Sequence, residues 1–352
     1  MIAFKDGLTI GGDSPIRVNC NIGCNKIEDI QSEISKIEFI QSCNELPDMM
    51  MDLSLIELEE PLYNYIKNNL GLPFGVVLSY HRFTKSKGYQ WEDIRDAFLQ
   101  LCYDGVSFVT IHFTADLDLF SRANQIRKIP VTSRGGGMVL YDSRINNRTQ
   151  NIFRENIDEI ANIALKHNVV ISLGTTFRPG TILDACDSVH IEETLRQLSI
   201  CRLLQSKGVK VMVENIGHIT LDKIATHSKL LSKFNAPIMP LGPLPTDAAI
   251  NEDHIANAIG ATFAAYIGCA HIINCVTRYE HSKSAITQEA TVEAIRAAKV
   301  AAHIADLSRN FNEANLYDTM ITNNRMKEHS CFADSKNCTR CSTVCPLKLT
   351  SI

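Results

Sequence analysis

Cysteine is distributed unevenly along this chain. Of its 12 cysteines, four (Cys331, Cys338, Cys341 and Cys345) lie between residue 331 and the last residue, 352. The core of that run is Cys338-Thr-Arg-Cys341-Ser-Thr-Val-Cys345-Pro346. Two residues between the first pair let both thiolates face one metal centre, and a closing Cys-Pro is how bacterial runs that hold iron–sulfur cubes end. Three ligating cysteines leave one iron open to another ligand, which a radical S-adenosylmethionine (SAM) cluster requires. The other reading of the same residues is a zinc knuckle with Cys331 or His329 as fourth ligand. In a reducing compartment, clustered thiols point to metal before disulfides.

A second set of reactive side chains recurs at the ends of short apolar runs. Asn21 closes the first run, Asp52 and Ser54 follow the second, and Tyr80 and His81 end the third. His112 ends the fourth, and Ser133-Arg134-Gly135-Gly136-Gly137 comes after the fifth. Arg178 follows the sixth, Glu214 and His218 end the seventh, Asp253-His254 lies beyond the eighth and Glu280-His281 beyond the last. One histidine at such a place is ordinarily a hydrogen-bonded wall residue. Ser-Arg-Gly-Gly-Gly says more, because successive glycines let backbone N–H groups converge on an anion while the arginine offers a fork; the alternative is a plain flexible turn.

The elements that must position these residues are alternating strands and helices. Strands are expected at 16–21, 48–53, 74–80, 107–113, 129–133, 169–174, 209–214, 237–242 and 271–277, several of them apolar on both faces as in a covered parallel sheet. Helices are expected at 27–43, 91–103, 154–167, 191–207, 221–233 and 287–307. Repeated βα units over this length predict a (β/α)₈ TIM barrel, in which chemistry sits at the C-terminal strand ends. No G-x-G-x-x-G follows the first strand to favour a doubly wound sheet. Nine strands for eight places leave one surplus, and 129–133 is the expected outsider. The domain boundary is placed at 309/310, with a barrel over 1–309 and, over 310–352, a small helical segment and the cysteine tail.

Composition bounds the function. With 35 basic against 39 acidic residues, a net charge of −4 and 21% charged residues, the chain has no cationic excess for nucleic acid. No apolar run is long enough to span a bilayer, and the first residues lack a signal-peptide pattern, so a cytoplasmic protein is expected.

Several segments together resemble one known family. Val211-Met-Val-Glu214-Asn-Ile-Gly-His218, Pro240-Leu-Gly-Pro-Leu-Pro-Thr-Asp247, Asp253-His254-Ile, Ala258-Ile-Gly260 and Val276-Thr-Arg-Tyr-Glu-His281 resemble the phosphomethylpyrimidine synthase/5-hydroxybenzimidazole synthase family. Val18-Asn-Cys-Asn21-Ile-Gly23, Met51-Asp-Leu-Ser54, Thr110-Ile-His112, Ser133-Arg-Gly-Gly136, Arg178-Pro-Gly180 and Ala301-Ala-His303-Ile-Ala-Asp306 continue it in order, as do the final cysteines. The resemblance implies a barrel and a non-canonical radical SAM lyase acting on 5-aminoimidazole ribonucleotide. Its default product is 4-amino-5-hydroxymethyl-2-methylpyrimidine phosphate, for thiamine biosynthesis. By position, Asn21, Met51, Tyr80, His112, Ser133, Arg134, Gly135, Arg178 and Glu214 would hold the ribonucleotide, with Glu214 and His112 as the catalytic pair. His218 and His281 would bind zinc or another divalent metal, and Cys338, Cys341 and Cys345 a [4Fe–4S] cluster. A homodimer and a flavodoxin or ferredoxin as electron donor are implied as well.

The chain also departs from that pattern. Thr175-Thr-Phe-Arg178 stands where the family has Asp-Gly-Leu-Arg, and Met239 replaces a tyrosine. Glu214-Asn-Ile-Gly-His218 replaces Glu-Gly-Pro-Gly-His, Phe113-Thr114 replaces Ala-Gly, and three residues rather than four separate the last two cysteines. Losing a carboxylate and a hydroxyl changes how a polar ring is read, so a divergent paralogue is expected, with 5-hydroxybenzimidazole as the alternative product. A reading from another class keeps the barrel and its histidine metal but makes the tail a structural zinc site on a hydrolase or lyase; a third makes the chain a non-catalytic ligand-binding or partner subunit.

Overall fold

A computed structural model describes the chain except residues 284, 328–329, 332–337 and 350–352. The chain divides into two compact units, Met1–Ala305 and Asp306–Ile352. Eight parallel strands build the first: β1 Arg17–Ile22, β2 Met49–Asp52, β3 Phe74–Val77, β4 Phe108–Ile111, β5 Val170–Leu173, β6 Val211–His218, β7 Ile238–Leu244 and β8 Ile272–Asn274. They are hydrogen-bonded in the order β8-β1-β2-β3-β4-β5-β6-β7. Around the remaining seam the prolines of β7 lack N–H donors, so a regular ladder is replaced by individual bonds. The His271 N–H donates to the Ile238 carbonyl across 2.8 Å, and the Asn274 amide donates to the Pro240 carbonyl across 2.8 Å. This is the expected barrel.

The core has two layers. Inside the barrel, Met49, Met51, Val77, Phe108, Val170, Met212, Met239 and Ile272 pack together. Gly75 in β3 is required there, because a Cβ would lie 2.3 Å from the Phe108 ring. Outside, helices bury one apolar stripe against the strands. Trp91–Asp104 is typical: Ile94, Ala97, Phe98, Leu101 and Cys102 face inward at helical spacing, and Gly105 ends it at φ 101°.

A small antiparallel hairpin (Ile2–Ala3 with Thr9–Ile10) closes the N-terminal end. Phe4 stacks on Phe108 with centroids 5.3 Å apart. Lys210, Ser107 and Arg17, at the starts of strands, bond Ala3 O, Asp6 and Thr9 O. The sequence reading did not anticipate this plug.

Residues 129–133 form a loop rather than a strand. The N–H groups of Lys128 and Ile129 are taken by the Asp184 carboxylate at 3.0 and 2.9 Å, so they need no ladder. The following Ser-Arg-Gly-Gly-Gly is neither a flexible turn nor a bare loop. It opens a helix, Arg134–Ile145, capped by Ser133, whose hydroxyl accepts from the Gly136 N–H. Helices Leu117–Ile126 and Asp253–Tyr266 were likewise not expected.

The second unit contains helix Asn312–Lys327, a 3₁₀ turn Ser342–Val344 and a short helix Pro346–Leu349. Among the described residues, no helix is long and apolar enough to cross a membrane.

Candidate active site

The C-terminal ends of the strands surround a cavity of about 530 Å³. Asn21, Met51, Tyr80, His112, Ser133, Arg134, Arg178, Glu214, His218 and His281 all line it. Gly135 does not; it lies behind His112, where a Cβ would come within 2.5 Å of the ring and 2.6 Å of the Ser79 hydroxyl. The glycine therefore lets the helix start press against the histidine. Thr175 and Met239 are both buried and away from the cavity lining, Met239 within the barrel core.

Strand register sets one wall. Asn21 pairs with Met51 across β1 and β2. Asn19 donates to the side-chain oxygens of Asn21, at 2.8 Å, and Asn274, at 2.6 Å. That use of its oxygen leaves the Asn21 NH₂ as the group offered to the cavity.

The opposite wall centres on Glu214, buried in β6. Its carboxylate accepts from Thr110 at 2.6 Å and Ser172 at 3.3 Å. Burial raises this carboxyl above the usual range, against the pull of the Thr110 bond and the Arg178 charge. His112 is buried and shares a hydrogen bond of 3.0 Å with the Ser133 hydroxyl. Burial, aided by Arg178, lowers its pKa to about 3, so the ring is neutral. Its Nδ1 has no protein partner, a buried polar atom left unsatisfied beside the cavity. The Arg134 guanidinium sits 5.4 Å from the Tyr80 ring centre and, with Arg178 and the capped helix start, makes this side of the cavity suited to an anionic group.

At the rim, the His218 and His281 rings meet edge to face, 4.8 Å between centroids. His218 Nδ1 is 2.6 Å from Asp247 and His281 Nδ1 is 3.0 Å from Asp253. A carboxylate on Nδ1 fixes the tautomer that presents Nε2 as a metal ligand. Burial lowers the His218 pKa, against the Asp247 bond, which favours the neutral ligand form. The donor set fits a divalent metal. Reading the sequence placed Asp247 and Asp253 in motifs without seeing this role; nothing at a separation of 29 or 28 residues announces it.

In the tail, Cys338 and Cys341 are half-buried, Cys345 is buried and Cys331 is exposed. His329 lies outside the described residues. Cys341 caps the turn Ser342–Val344 and Cys345 follows it. Their thiols do not form a tight three-ligand group among the described residues. Ligands of a cube each bind a different iron and stand farther apart than ligands of one ion, and free thiols suit either state.

A parallel barrel with a polar cavity at its strand ends and a C-x₂-C-x₃-C-P tail defines a barrel enzyme equipped for cluster chemistry. Residues 4–330 match the Radical SAM ThiC family, and the chain belongs to that family. It is an enzyme family whose chemistry uses an iron–sulfur cluster and SAM. The chain is 33% identical to a phosphomethylpyrimidine synthase of Sulfurisphaera tokodaii, over 97% of this chain and 86% of that one. It is 30% identical to that of Carboxydothermus hydrogenoformans, over 97% and 85%. The family and function expected from the motifs are those these comparisons carry.

Proposed function

We propose that this chain is a carbon–carbon lyase that rearranges 5-aminoimidazole ribonucleotide to 4-amino-5-hydroxymethyl-2-methylpyrimidine phosphate. The observation carrying this reading is the single cavity onto which Asn21, Tyr80, His112, Arg178 and Glu214 converge beside the His218–His281 pair. Arg178 and Arg134 would receive the phosphate at the Ser133-capped helix start. Asn21 and Tyr80 would orient the ribose and base. Neutral His112 would accept a hydrogen bond at Nδ1 or donate one there, and Glu214 would take or return a proton in a site shielded from water.

Cys338, Cys341 and Cys345 would hold a [4Fe–4S] cluster, which together with SAM supplies a 5′-deoxyadenosyl radical. His218 and His281 would hold zinc through Nε2, with Asp247 and Asp253 orienting them; a divalent ion there supplies a positive charge at the rim. A flavodoxin- or ferredoxin-type electron donor, a homodimeric assembly and a cytoplasmic location complete the proposal.

The test is anaerobic purification with iron reconstitution, followed by incubation with SAM, reductant and 5-aminoimidazole ribonucleotide. About four irons per chain, lost in Cys338→Ala, are expected, with an EPR signal perturbed by SAM and pyrimidine phosphate as product. Zinc in the tail without iron would overturn the radical reading. 5-Hydroxybenzimidazole as product would reassign the reaction within the family.

A further inference from the structure

On the outer face of β6, away from the cavity, three metal-ligating side chains come together from distant parts of the sequence. Cys186 precedes helix Ser188–Ser206, His190 lies in its first turn, and His227 lies on helix Leu221–Leu231. One ligand atom from each falls within 4.8 Å of the others, the one such group among the described residues. Both histidines are buried and their rings stack at 4.1 Å, while Cys186 is half-buried.

The hydrogen bonds around them dictate the tautomers. Gln197 Nε2 donates to the carbonyls of Leu173, Gly174 and Glu214, so its oxygen must be an acceptor. That oxygen takes Asn215 Nδ2 at 2.8 Å, which makes Asn215 Oδ1 an acceptor too. His190 Nε2 at 3.3 Å and His227 Nε2 at 3.0 Å both address this Oδ1, so each must carry its proton on Nε2. The lone pair of each ring is then on Nδ1, and that of His190 accepts from the Cys186 backbone N–H at 3.3 Å. Burial keeps both rings neutral. Nε2–H anchored on a carbonyl oxygen is the outer contact that metal-bound histidines show; at His190 the long bond from the Cys186 N–H to Nδ1 would have to open for that atom to take an ion. Cys186 is held at φ 62°, a left-handed conformation uncommon for a residue with a side chain.

We propose that Cys186 Sγ, His190 Nδ1 and His227 Nδ1 form a second divalent-metal site, with thiolate–imidazole chemistry suited to zinc and a water completing the tetrahedron on the half-exposed Cys186 side. The thiol gives up its proton to solvent as the Zn–S bond forms, so binding strengthens as pH rises. The ion would tie the loop before helix Ser188–Ser206 to helix Leu221–Leu231. Through Asn215 it would brace the strand that carries Glu214 and His218, a positioning role.

Zinc counted in the cluster-loaded full chain carrying His218→Ala and His281→Ala tests this independently of the proposed reaction. About one zinc per chain is expected to remain, with sulfur in its X-ray absorption shell at about 2.3 Å. Adding Cys186→Ala, or His227→Gln (which can still donate to Asn215), removes that zinc and its sulfur signal, while circular dichroism reports an unchanged fold. No zinc in the double variant, or zinc whose shell is indifferent to Cys186→Ala, overturns the proposal.

Discussion

His218 Nδ1 donates to Asp247 across 2.6 Å, and the other carboxylate oxygen of Asp247 accepts from Thr181 at 2.7 Å. Asp247, in the loop after β7, thus ties the loop after β5 to the end of β6 and holds the His218 ring at the cavity.

Asp247→Asn weakens the acceptor without changing its shape. Zinc affinity of the His218–His281 pair is expected to fall about 10- to 100-fold, with the melting temperature nearly unchanged. Competition with a zinc-binding dye, in a Cys186→Ala background so that one site is read, measures it. An unchanged affinity would mean that Asp247 does not orient the ring.

His112 makes stability depend on pH. Its folded pKa of about 3 lies below the ordinary 6.5, so between those values the unfolded chain binds the extra proton and stability rises with pH. The stabilisation is complete above about pH 6.5 and is lost on acidification toward pH 3. From pH 7 to 5, urea unfolding of the wild type should lose up to about 2 kcal/mol more than His112→Gln does. Equal slopes for the two proteins would refute this assignment.

Gly135→Ala should be damaging out of proportion to one methyl group. Its Cβ would overlap the His112 ring and the Ser79 hydroxyl, costing about 1–3 kcal/mol. The added cost in kcat/KM should exceed that of Gly137→Ala, where a Cβ meets nothing within 4 Å. Parallel thermal melts and turnover assays separate the two positions.

Glu214→Gln keeps the bond from Thr110 but removes the buried negative charge. Turnover is expected to drop by about a hundredfold, while stability stays level or rises because a buried charge is relieved. Activity retained in the amide variant would exclude a proton-transfer role.

Much of the barrel could be read from the sequence because its strands are covered on both faces. Runs such as 74–77 and 170–173 are wholly buried, the second with Ser172 as its one polar member, and a buried parallel strand shows as a mostly apolar run. Several cavity residues were legible for the same reason: Asn21, His112 and Glu214 lie in or just after such runs, whereas Ser133 and Arg134 follow a loop. The helix after Ser133 was not, since three glycines oppose helix propensity locally and the capping hydroxyl and packing override it. The cluster at Cys186, His190 and His227 escaped notice because its members share no motif spacing. Asn215, which sets their tautomers, reads as part of a strand.

The plug at the bottom of the barrel has a consequence for biogenesis. Ala3 waits for Lys210, made 207 positions later, and Phe4 waits for Phe108. During synthesis the first ten residues therefore emerge with apolar side chains uncovered and no partner yet translated. They can seat only after most of the barrel has left the ribosome, so closure of this end is a late folding event. A bulky fusion at Met1 would burden that step, lowering the yield of native protein without touching a residue of the cavity.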